Sequence, residues 1–160
     1  MTAQIKPTNF TTNLFDLLDE TFEHHHGIYL DRGNTLYETL ASISADEASR
    51  PVSATCATLA AQLTHVIFYM EILERYILKD EVKNIDWGEI WRTVAAVTPA
   101  EWESLQQKLK DTYQRIMTML RQTESWDDED TIGGALAIVV HTAYHLGEIR
   151  QAMCTLKQPA

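Results

Sequence analysis

Basic side chains are in short supply. Lysine and arginine number 13 against 23 aspartates and glutamates, for a formal net charge of −10. No basic cluster interrupts that excess, and an acidic surface repels phosphate backbones, so nucleic acid is not an expected partner. Cysteine is nearly missing. Cys56 and Cys154 form no close-spaced metal or redox pair, and both read as reduced, core-facing thiols on helices. The opening residues MTAQIKPTNF lack the apolar centre of a signal peptide. The longest uncharged run, Thr131 to Gly147, is too short and too polar at its histidines to span a bilayer. No membrane partner is expected, and the cytoplasm is the expected compartment. Strand patterns, internal repeats and low-complexity stretches are absent as well.

What remains is helical and apolar. Hydrophobic residues make up 45% of 160, enough for one domain over residues 1–160 with a real core. Phe10, Leu14, Leu17, Leu18 and Phe22 step by threes and fours, which predicts a first helix capped by Thr8 or Asn9 and stopped at Gly27. His24, His25 and His26 precede that stop and suit the carbonyl end of a helix. Three consecutive positions point three ways, so they cannot all serve one site; a ligand role for one is the alternative. Thr35 with Glu38 and Ser44 with Glu47 form capping boxes, predicting a helical linker. A second long helix is expected from Ser53 to about Lys79, with Leu59, Leu63, Val66, Met70, Leu73 and Ile77 as its core stripe. Between Asp80 and Thr98 the pattern weakens. Trp87 and Trp91, four apart there, are expected to seal the core, with a lid over a pocket as the alternative. Thr98-Pro99-Ala100-Glu101 opens a third helix, and Asp127 to Asp130 provide acids at the start of a fourth. The fold expected is all-α: an up-down-up-down four-helix bundle, with a helical linker after the first helix and a Trp-containing segment between the second and third.

Chemistry gathers on the fourth helix, expected from Thr131 to about Leu156. His141 and His145 lie one turn apart, about 40° on a helical wheel. At i and i+4 they stack on one face, close enough to reach one ion. The second helix carries a lone histidine, His65. Small residues precede the histidines on both stripes: Ala54, Thr58 and Ala61 on one, Gly134 and Ala137 on the other. Two hollow stripes facing each other predict a pocket floored by histidine. Depth agrees if the two helices run parallel: His65 lies about 18 Å from a cap at Ser53, and His141 and His145 about 15 and 21 Å from Thr131. Three imidazoles suit zinc, nickel, copper or iron and leave coordination positions open. Glu148 is better placed to orient an imidazole than to ligate. The alternative is a buried histidine cluster bonded to the hydroxyls of Tyr69 or Tyr144.

With His65 and the segment His141-Thr142-Ala143-Tyr144-His145-Leu146-Gly147-Glu148-Ile149-Arg150-Gln151, the chain resembles the DinB/YfiT-like superfamily over most of its length. The resemblance implies a four-helix bundle, often dimeric, in which His65, His141 and His145 bind nickel or zinc. It implies a metal-dependent thiol S-transferase or related enzyme, acting on a small-molecule substrate such as a low-molecular-weight thiol. Members of the superfamily often carry His-Arg-Gly-Gln where this chain has His145-Leu146-Gly147-Glu148, which leaves the particular thiol open. Two other classes stay in view: a non-catalytic metal-binding or stress protein, and a bundle holding a small apolar ligand without metal. A homodimer is expected independently, because the fourth helix is apolar beyond what one core needs.

Overall fold

Proline at the first helical position costs no hydrogen bond and presets φ, and the first helix starts on one. A computed structural model describes residues 6–157; the first five residues of the segment read above for a signal peptide lie outside it, as do 158–160. α1 spans Pro7–Phe22, with Lys6 at its N-cap and no side-chain cap from Thr8 or Asn9. It ends before the histidine run rather than at Gly27. The reason is a carboxylate. Glu20, fully buried, accepts from the backbone N–H of Ile28 at 2.9 Å and of Leu30 at 2.9 Å, and from Tyr29 at 3.3 Å. These contacts fold the chain back over the last turn of α1, and Gly27 takes φ +77° inside that loop.

Both capping boxes form as the linker sequence implies. α2 (Leu36–Ala41) is capped by Thr35 with Glu38, and α3 (Ala45–Ser49) by Ser44 with Glu47. α4 spans Leu59–Ile77, capped by Thr58, so it starts six residues later than Ser53. Residues 53–58 turn instead. The Ser53 hydroxyl accepts from the Thr55 N–H, and the Ser53 carbonyl from the Cys56 N–H at 3.1 Å, a local alternative that serine offers the backbone. After α5 (Glu89–Thr93) comes α6 (Pro99–Arg121), opened by the expected box of Thr98 and Glu101. α7 spans Glu129–Leu156 and is capped by Asp128, slightly earlier than Thr131. All seven helices and no strand are found among the described residues.

The expected alternation of direction does not hold. Tyr69 stacks on His141, and His65 meets His145. Further along, Lys79 pairs with Asp128 and Asp130. As residue numbers rise on α4 they fall on α7, so the two helices are antiparallel. α6 lies parallel to α4, joined by Glu74–Arg115 and Glu71–Lys108 ion pairs. α1 opposes α6, with Phe22 stacked on Tyr113 at 4.2 Å and Arg121 over Phe15. The weakly patterned segment after α4 explains the departure. It runs back along α4: Trp87 packs on Tyr69, Trp91 on His65, and Val97 bonds Ser49. α6 therefore begins at the end where α4 began.

On length and composition α7 is the one helix among the described residues that passes as a membrane span, with mean hydropathy 1.2 in its best window. It is longer than the uncharged run because its caps and last turns extend it. Within the fold it packs on α4 and α1, and Ala135, Ile138, Leu146 and Ile149 on it are buried.

Candidate metal centre

The antiparallel register brings together three histidines that neither helix could assemble alone. Thr58 caps α4 two turns before His65, and α7 presents His141 and His145 one turn apart on the facing side. One ring nitrogen from each of His65, His141 and His145 lies within 4.8 Å of the others. Nε2 of His65 is 3.1 Å from Nε2 of His141. His145 is buried and the other two half-buried. The residues expected from sequence therefore meet, but by a different route. Depth measured from parallel caps is not what aligns them.

The three rings are sparingly satisfied. The Nδ1 atoms of His65, His141 and His145 are all buried without a hydrogen-bond partner. Glu148 Oε2 stands 2.8 Å from Nδ1 of His145, close enough to attract it but outside the alignment a hydrogen bond needs. Tyr69 lies flat on His141 with ring centroids 3.6 Å apart. It fixes that ring by stacking, not through its hydroxyl. Tyr144 is exposed, meets His145 edge-on, and has its phenol pKa raised by the neighbouring Glu148 carboxylate. Trp91 covers His65 at 4.5 Å between centroids. Trp87 and Trp91 are each more than two-fifths exposed, so they do not seal the core; Trp91 lies on His65 and Trp87 on Tyr69 and Phe68.

Burial keeps the imidazoles uncharged. It pushes His141 down to about 3, helped by the neighbouring His145 and His65. Burial and His145 lower His65, partly offset by Glu148. His145 is lowered by burial against the pull of Glu148. Neutral imidazole is the ligating form. The two Nε2 atoms of His65 and His141 facing at contact distance, with one ring nitrogen of His145 beside them, make a donor set that fits a divalent ion. No fourth protein donor closes the group among the described residues.

The hollow stripes are not the pocket. A methyl group on Gly134 would come within 2.7 Å of Ile77 Cγ1, so this glycine admits the other helix. Ala54 is exposed in the turn before α4, and Thr58 and Ala61 are buried at its start. Open space lies instead beside His145. A recess of about 380 Å³ is lined by Cys56, Ala57, Gln62, Trp91, Tyr144 and Glu148 as well as His145. Cys56 and Cys154 are exposed, not core-facing, and Cys56 is not on a helix. Sequence reading missed Gln62, whose neutral side chain gives no periodic signal. His24 and His26 turn away to Asp19 at the far end of α1 and take no part in this cluster. No family model matches the chain, and comparisons with curated proteins and with solved structures return no match.

Proposed function

We propose that the chain is a divalent-metal protein whose ion is held by His65, His141 and His145, with open positions for a small molecule. The observation that carries this reading is the convergence of three neutral, half-buried to buried imidazoles from α4 and α7 on one point. A bound ion, nickel or zinc, would supply a Lewis acid able to lower the pKa of a thiol or water in its open position. Around it, Tyr69 fixes the plane of His141, Glu148 orients His145, and Trp91 excludes water from the His65 side. The recess beside His145 has room for a second reactant. Metal-dependent thiol transfer is the activity we infer, in line with the DinB/YfiT-like resemblance. We read α1, α4, α6 and α7 as the four helices of a bundle running up, down, down, up, and place the protein in the cytoplasm as a homodimer.

Elemental analysis of untagged protein tests the site. One nickel or zinc per chain is expected, falling close to none in His65→Ala, His141→Ala and His145→Ala. Full metal content in His65→Ala would remove α4 from the ligand set. Loaded protein should then accelerate addition of a thiol to a small electrophile, with Cys154→Ser retaining that rate. Metal without turnover across a panel of thiols leaves a binding protein. A metal-free cluster, held by the His65–His141 hydrogen bond alone, would leave a small-ligand bundle.

A further inference from the structure

The recess beside His145 does not stop at the histidines. It shares Cys56, Ala57, Gln62, Tyr144 and Glu148 with a longer trough of about 500 Å³ that follows α7 past Gln151 to Thr155. The two form one groove, leading from the imidazoles to the surface. Its chemistry is one-sided. Glu148 is the only ionised side chain among the described residues that line it, and no lysine or arginine does. Arg150, the nearest base on α7, is turned to Thr39, and Arg92, next to Trp91, is paired with Asp86.

Glu148 holds His145 through one oxygen, and its side chain remains 39% exposed to the groove. Gln62 lines both parts, with Oε1 buried and lacking a donor. A carboxylate and an amide oxygen are acceptors. They ask the ligand for donors, and no cationic side chain among the described residues lines the groove to pair with an anion. The molecule's net charge of −10 acts in the same direction.

We propose that the groove selects a cationic small molecule, an amine whose ammonium group sits between Glu148 and Gln62 while its other end reaches the histidine cluster. This rests on the metal-site reading for that far end. If the ligand is a thiol, it is an aminothiol and not an acidic peptide thiol. Ala57 and Trp91, which line the recess between the two ends, suit an aliphatic chain there.

Two measurements separate this proposal from the metal reading. With protein loaded with cobalt(II), cysteamine, 2-mercaptoethanol and 3-mercaptopropionate are titrated, and the thiolate-to-cobalt absorption band is read. Cysteamine should bind about fivefold more tightly than mercaptoethanol, in keeping with a half-exposed ion pair, and mercaptopropionate most weakly. Glu148→Gln, with thiol affinity read per bound cobalt, should erase the preference for cysteamine. Separately, n-butylamine and butyrate are titrated into metal-free protein, and the Gln62 side-chain amide is followed by NMR. Butylamine should shift it and butyrate should not. Failure to load cobalt would sink the metal reading while the amine titration still decides the groove. Equal or tighter binding of mercaptopropionate, or a butyrate response matching that of butylamine, would overturn the cationic ligand.

Discussion

Glu20 shows how much one side chain can organise. Burial pushes its carboxyl pKa up, but the N–H groups of Leu30, Ile28 and Tyr29 outweigh burial and hold it below the ordinary 4.5. A carboxyl with a lowered folded pKa contributes stability that is complete above its unfolded value and lost as pH falls through the folded one. The fold should therefore weaken on acidification from about pH 4.5 downward, as this group is protonated in the unfolded chain first. Glu20→Gln should cost about 2–3 kcal/mol at pH 7, since it replaces charge-assisted hydrogen bonds with weaker ones. Its loss of stability below pH 4.5 should be shallower than that of the wild type. Denaturant titrations at neutral and acid pH check both. Nothing in the sequence marks Glu20. Its acceptors are filled by backbone groups eight to ten positions away, and backbone donors carry no residue identity.

At the level of elements, local signals were legible and direction was not. Thr35–Glu38, Ser44–Glu47 and Thr98–Glu101 all cap as their spacing says, because a capping box closes within four residues. His141 and His145 are legible for the same reason: one turn joins them. Whether α4 faces α7 parallel or antiparallel depends on where residues 80–98 run, and that path is set by packing. Trp87 and Trp91 settle it by lying on Tyr69 and His65. Ser53 misleads because it resembles a cap while its hydroxyl serves a turn. α5 is only five residues long, and its Trp91, like Trp87 just before it, is more than two-fifths exposed, so its attachment is shallow. Trp91→Ala should lower global stability by no more than about 1 kcal/mol. It should nonetheless open His65 to water. Metal release to a chelator is expected to quicken several-fold; an unchanged release rate would show that Trp91 is no lid.

For the molecule as a whole, α7 leaves an uncharged strip outside. Leu136, Val140 and Tyr144 are 41%, 66% and 61% exposed, and the exposed glycines Gly133 and Gly147 extend the strip at both ends. Such a face on a chain of net charge −10 is where like-charged copies can meet with least repulsion. The expected homodimer would use it. Sedimentation of wild type at micromolar concentration should give a dimer, and Val140→Glu, which adds a charge at the most exposed position, a monomer with intact helicity. A wild-type monomer would remove the interface and leave the strip as plain surface.

The partners in the His65–His141 contact are 76 positions apart in sequence. During synthesis, a chain halted before His141 owns one of the three imidazoles and no facing wall. Whatever α1 and α4 manage to bury by then, the cluster is still missing. Closing so long a loop is slow and is rewarded only once α7 is released. A nascent chain would thus present an unfilled apolar side of α4 until its final turns emerge, a period in which chaperones, and not metal, would be its natural company.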